Sequence, residues 1–389
     1  MPRSNETYRL IIAGDILPSA NNADLFEKGD SEELFGKEIC ALFKNADCSV
    51  VNIEGALTYS DTPQKKVGPI LKASPKTING IKNLGVTIAT LANNHIMDYN
   101  EKGYSDTIDC LNRAGIQHVG VGDNCRELKT YISVSLGKRQ VCIYNVSESF
   151  FNVPDDHTPG ANVYDEYIIC NELKELKSTH DYLIVIYHGG AEYVPYPTPM
   201  VRRRFHRMAD SGADFITAQH THCIGCEETY NGAYLLYGQG NFFFARQKTK
   251  SMTREGLILE LCFGNTIRIN KHKVYVTERD VLRYSEDQSL SEFMERSGQV
   301  DDFGQIALRY EKAKADDIME RFLLAFRGRN VLKVILWKLF PDWYLKTIRK
   351  SYSDKQIRLI MTMLTQERVQ EDMSFVWRYI YRLNGFLNK

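Results

Sequence analysis

The sequence predicts an α/β domain followed by an α-helical C-terminal region, with the boundary near residue 284, and three observations support this. Apolar runs of strand length alternate with amphipathic segments of helical period as far as Leu282. Five of those runs end in polar clusters, the clearest being Leu91-Ala92-Asn93-Asn94-His95-Ile96-Met97-Asp98 at the end of the apolar run 86–91. From Ser285 onward glycines are few, charge is dense and apolar residues recur at three-to-four spacing, which is a helical pattern. In an open α/β sheet ligands bind beyond the strand ends, so the chain is expected to be organised around one shared edge.

Taken in order, residues 9–13 are a strand closed by Gly14-Asp15, and 32–44 carry Leu34, Ile39, Leu42 and Phe43 at helical spacing. Residues 48–53 form the second strand, ending in Asn52-Ile53-Glu54-Gly55. Pro75 suits the first turn of a helix and Gly85 its end, which feeds strand 86–91. Helix 102–114 places Ile108 and Leu111 on one face, stops at Gly115 and leads to strand 117–121. Segments 131–136 and 141–146, joined by Gly137-Lys138-Arg139, predict a hairpin with a turn longer than two residues.

Helix 166–177 then precedes the buried strand 182–187, which ends in His188-Gly189-Gly190-Ala191-Glu192-Tyr193. A basic helix, 199–211, holds Arg202, Arg203, Arg204, His206 and Arg207, and strand 215–218 runs into Gln219-His220-Thr221-His222. Segment 234–237 leads to Gly238-Gln239-Gly240-Asn241 and the run Phe242-Phe243-Phe244, and 257–263 and 274–281 read as the last strands.

Composition narrows the function. Lys+Arg and Asp+Glu both number 49 in 389 residues, so no net field favours nucleic acid. The opening MPRSNETYRLIIAGD has no apolar stretch of the signal-peptide kind, and no run reaches the ~18 apolar residues of a membrane span. Nine cysteines, most in apolar settings, fit reduced, buried thiols and a cytoplasmic compartment.

The strand-end clusters supply Asp15, Glu54, Asn94, His95, His188, His220 and His222. Read singly, a His after a strand is a satisfied loop residue and an Asp after a Gly is a turn. Recurring at five strand ends, these carboxylates, an amide oxygen and imidazoles form a donor set for one or two divalent ions, Mn, Fe or Zn. Such an ion makes hydroxide available near neutral pH, and an adjacent His can carry a proton to a leaving group. Glu192 could orient His188 or bind a substrate amine.

In this order, Gly14-Asp15, Asn52-x-Glu54, Ala92-Asn93-Asn94-His95-x-x-Asp98, His188-Gly189-Gly190-x-Glu192-Tyr193, Gln219-His220-Thr221-His222 and Tyr237-Gly238-Gln239-Gly240-Asn241-Phe242 resemble the capsule synthesis protein CapA family, associated with poly-γ-glutamate capsules. The resemblance spans about residues 8–282. It implies a calcineurin-like metallophosphoesterase-type β-sandwich flanked by helices in four layers. It further implies that Asp15 and His222 hold a first metal, Glu54 bridges, Asn94, His188 and His220 hold a second, and His95 is the general acid. In that superfamily a His usually lies two residues after the first Asp, where this chain has Leu17, so one ion rather than two is expected.

Two function classes follow. One is a metal-dependent hydrolase or transferase of capsule or exopolymer synthesis, acting on an anionic polymer or a phosphorylated substrate. The other is a non-catalytic assembly subunit that binds a polymer end or a partner ligase among the capsule synthesis proteins. Cys223-Ile224-Gly225-Cys226 is a single pair and reads as accidental spacing, and the arginine run 202–204 reads as either an anion-facing surface or a solvated helix face. Segment 327–358 interleaves Arg and Lys with Trp337, Phe340, Trp343, Tyr344 and Tyr352. It fits a helical cap packed on the α/β domain or a peripheral contact with the inner face of an anionic membrane.

Overall fold

Both faces of the central strands are covered, which is why the sequence shows them as continuous apolar runs rather than alternating ones. The computed structural model describes residues 7–66, 68–148, 152–244, 254–264 and 267–300, all within one compact unit, Met1–Glu311. In the strand Tyr8–Leu17, Leu10 and Ile12 join one apolar cluster while Ile11 and Ala13 join another, as the two-residue period of a strand requires.

The strands form two main sheets. The first runs in the order Leu282–Tyr284, Ile267–Val276, Glu255–Phe263, Tyr8–Leu17, Cys48–Ile53, Ile88–Thr90 and Gln117–Val119, with Asn241–Phe244 also paired to Tyr8–Leu17. The second runs Glu227–Tyr230, Ala233–Leu236, Phe215–Gln219, Tyr182–His188, Arg139–Ser147 and Tyr131–Leu136. Leu10, Ile12, Val50 and Leu259 of the first sheet pack with Ile143, Ile184, Ile186 and Leu236 of the second. Helices Ser31–Lys44, Ile78–Leu84 and Asn100–Ala114 cover the outer face of the first sheet through Phe35, Ile39, Ile81 and Leu111. Helices Glu166–Lys177 and Pro199–Asp210 cover the second through Leu173 and Phe205. This is the helix-flanked, four-layer β-sandwich expected from the motif resemblance. The shared edge is therefore composite, built from two facing sheets rather than one open sheet.

Local chemistry sets the boundaries. Asp165 accepts a hydrogen bond from the Ile168 N–H and Thr198 one from Val201, with Pro199 at the first helical position, so both helices begin where their caps dictate. Gly85 and Gly115 take the left-handed conformation that stops their helices. The hairpin corrects the sequence reading. Leu136 pairs with Arg139, leaving a two-residue turn of Gly137 and Lys138, because Gly137 at φ 64° supplies the positive dihedral such a turn needs. The last long strand, Ile267–Val276, begins earlier than the pattern suggested, since its charged stretch 270–273 lies on a half-exposed sheet edge where apolar runs are not required.

Phe293 and Val300, beyond residue 284, are buried in two of the apolar clusters. Among the described residues no helix is long and apolar enough to cross a membrane. The expected helical region past residue 300, with its basic-aromatic segment 327–358, lies outside the described residues.

Side-chain amides tie the sheets together at the functional end. Gln219 Nε2 donates to the Ala13 carbonyl at 3.1 Å and Gln239 Nε2 to that of Ile12 at 2.8 Å. Asn145 Oδ1 accepts from the Leu91 and Ala92 N–H groups at 3.2 and 2.8 Å. Each such buried bond contributes about 1 kcal/mol net and costs more if half-broken, so the two strand-end sets are held in fixed relation.

Candidate metal centre

Parallel pairing brings the polar strand ends to one place. Tyr8–Leu17, Cys48–Ile53 and Ile88–Thr90 run parallel in the first sheet, as Tyr182–His188 and Phe215–Gln219 do in the second. Asp15, Glu54, Asn94, His95, His188, His220 and His222 consequently converge from both sheets.

Glu54 lies at the centre and is fully buried. Its Oε1 is 3.6 Å from His188 Nε2, 3.9 Å from His222 Nε2 and 4.0 Å from His95 Nε2. Neither Glu54 oxygen has a hydrogen-bond partner among the described residues. Asp15 stands 3.7 Å from both His188 Nδ1 and His222 Nδ1, and accepts from Asn52 Nδ2 at 2.7 Å and from the His220 N–H at 3.1 Å. Asn94 Oδ1 lies 2.9 Å from His188 Nε2.

Three donor groups result, each with donor atoms within 4.8 Å of one another: Glu54, His188 and His220; Asp15, Glu54 and His222; and Glu192, His220 and His222. Five of the six residues expected as ligands fall in these groups, and the sixth, Asn94, lies 2.9 Å from His188 Nε2. His95 joins none of the three groups. Glu192 lies beside His220, at 3.9 Å, rather than against His188.

The electrostatics suit a cation. Burial and the neighbouring Asp15 hold the Glu54 carboxyl well above its usual range, since two buried carboxylates this close do not both ionise without a positive charge between them. Burial lowers His188, and burial with the nearby imidazoles lowers His220 far below the ordinary value, so both are neutral, the form that ligates. His222 is also pulled down by burial, but Glu54 and Asp15 outweigh that and raise it.

Four further residues hold the site and were not assigned roles from sequence. Asn241 Oδ1 lies 2.8 Å from His222 Nδ1 and fixes that ring. Gly256 packs so tightly on the Asn241 carbonyl that a Cβ would fall 1.8 Å from it. Asp98 Oδ2 is 2.7 Å from His95 Nδ1. Lys66, almost fully buried, pairs with Asp98 and donates to the Asn94 carbonyl at 3.1 Å. The His-x-x-Asp spacing signalled Asp98, whereas Lys66 comes from a polar loop with no motif.

The other sequence signals resolve differently. Arg202 pairs with Glu228, Arg204 with Glu148 and Arg207 with Glu166, so these arginines are engaged within the chain. Cys223 and Cys226 are buried and join none of the donor groups.

The bacterial capsule synthesis protein PGA_cap family model matches residues 9–246, a span that holds Asp15, Glu54, Asn94, His95, His188, Glu192, His220 and His222. The chain belongs to that family. Among relatives of the PGA_cap domain, the capsule biosynthesis protein CapA of Bacillus anthracis is 26% identical over 258 residues, 64% of this chain and 62% of that one. The PGA biosynthesis protein CapA of Bacillus subtilis (strain 168) is 27% identical over 262 residues, 66% and 68% of the two chains. The PGA_cap chain thus spans under two thirds of the first relative's length. A novel phosphatase from Mycoplasma pneumoniae is similar in structure at a TM-score of 0.43 and 14% identity, over 75% of this chain and 98% of that one.

Proposed function

We propose that this PGA_cap domain is a metal-dependent hydrolase or transferase that acts on an anionic polymer or a phosphorylated substrate during capsule or exopolymer synthesis, with poly-γ-glutamate as the polymer. The observation that supports it most is Glu54: a fully buried carboxylate with no hydrogen-bond partner among the described residues, near three imidazoles, is costly unless a cation completes it. Asp15, Glu54, Asn94, His188, His220 and His222 would hold the ion, and their mixed oxygen and nitrogen donors suit Mn, Fe or Zn. When bound, the ion supplies Lewis-acid polarisation and brings the acidity of water to about pH 7.

The protein's own groups do the rest. His95 carries a proton at Nε2, the ring nitrogen that faces Glu54 and the donor groups, and passes it to the departing oxygen or nitrogen. Asp98 fixes the ring through Nδ1, and Lys66 holds Asp98 and the Asn94 backbone in place. On this reading the protein works in the cytoplasm with other capsule synthesis proteins.

The alternative of a non-catalytic assembly subunit draws on Leu17, which packs into the helix-side core and offers no ligand. A screen of the Mn-, Fe- and Zn-reconstituted full chain against phosphoester and γ-glutamyl substrates separates the two. Metal-dependent turnover that chelation abolishes is expected, and binding of polyglutamate without turnover of any substrate would favour the assembly subunit.

A further inference from the structure

One member of the third donor group, Glu192, lies outside the ligand set that the motif resemblance implied. Glu192 enters the group from the loop after the strand Tyr182–His188, and its Oε1 is 3.9 Å from His220 Nε2. That position is built by the backbone. The Tyr193 N–H donates to the Thr221 carbonyl at 2.8 Å, joining the Glu192 loop to the residue between the two histidines. The Tyr193 ring stacks on His222 at 5.8 Å between centroids with planes 27° apart. Tyr193, His220 and His222 all take positive φ, at 63°, 81° and 54°, a conformation that costs energy for residues with side chains. Three such residues where two short loops meet mark a site whose geometry is fixed by something other than local preference.

The donor inventory shows what that geometry serves. Leu17 is buried among apolar neighbours and cannot ligate, so the Asp15, Glu54 and His222 group is left with three donors. Zn and comparable ions take four or more donors at about 2.0–2.3 Å, which places neighbouring donor atoms roughly 3–4 Å apart. Glu192 stands at that spacing from His220 and belongs to the same group as His222. Its side chain is 41% exposed, whereas Glu54 is fully buried.

We infer that Glu192 is a metal ligand that makes up for the donor missing at Leu17, so that the chain binds two divalent ions side by side rather than one. The inference rests on the reading of the site as a metal centre, and its test separates the two.

The test compares the wild-type full chain with Glu192→Ala, which removes the donor oxygens from a half-exposed position. Both are stripped, reconstituted with Mn(II), and measured by metal analysis, by titration calorimetry of the apo protein and by electron paramagnetic resonance. Two equivalents and an exchange-coupled spectrum are expected for wild type, against one equivalent and an isolated Mn(II) spectrum for Glu192→Ala. Equal stoichiometry and affinity in the two proteins, at one or at two equivalents, would overturn the role of Glu192 while leaving the metal centre intact. No Mn(II), Fe(II) or Zn(II) bound by either protein would overturn the metal centre itself.

Discussion

His95→Ala is expected to lower turnover of the reconstituted protein by about 10²–10⁴-fold, the usual worth of a positioned general acid, while leaving metal content at the wild-type level. The separation follows from geometry: His95 Nδ1 is 2.7 Å from Asp98 and Nε2 is 4.0 Å from Glu54, yet the residue belongs to none of the three donor groups. The loss should shrink for substrates whose leaving group needs no proton. A pH dependence follows as well. Burial lowers the His95 pKa more than Asp98 raises it, so the protonated acid is lost as pH rises through a value below the ordinary histidine one. Wild-type turnover of a poor-leaving-group substrate should therefore decline on that limb, and His95→Ala should lack it. A metal-depleted His95→Ala protein would instead make this residue a ligand.

His220→Ala should behave in the opposite way, losing metal and activity together. His220 is shared by two of the three donor groups and sits fully inside the site, so no neighbouring side chain can take over. Outer-shell partners of metal ligands already cost about 10–100-fold in affinity when removed, and a ligand itself should cost at least roughly 10²-fold. Metal analysis and thermal unfolding with and without chelator give the readout. Wild type should lose stability on chelation, since an ion that binds only the folded chain stabilises it, and His220→Ala should show little further loss. A His220→Ala protein with full metal content would remove this residue from the ligand set.

Much of this site was legible because its donors sit at strand ends, and strand ends are visible in sequence as apolar runs that stop at polar clusters. The run 86–91 predicted where Asn94 and His95 would stand, and Asp15 and Glu54 followed from the same rule on parallel neighbours. Two sheets in place of one open sheet were not visible in periodicity, because a strand buried between a sheet and helices reads the same in either arrangement; only the motif resemblance pointed to the sandwich. The amides that lock the sheets together, Gln219, Gln239 and Asn145, were equally hidden, since their partners are backbone groups far away in the chain. Lys66 was missed for the same reason: a lysine in a polar loop looks solvated until the fold folds it under Asp98. Three arginines of the basic helix, Arg202, Arg204 and Arg207, showed the converse, a sequence feature suggestive of an anion site whose charges are taken up by Glu228, Glu148 and Glu166.

The metal content of the purified full chain after reconstitution tests the central claim most directly. With Mn, Fe or Zn in excess and unbound ion removed, at least one equivalent per chain should remain, and chelation should lower the thermal midpoint. Sub-stoichiometric content with all three metals, with an unchanged midpoint on chelation, would contradict the assignment of Asp15, Glu54, Asn94, His188, His220 and His222 as a metal centre.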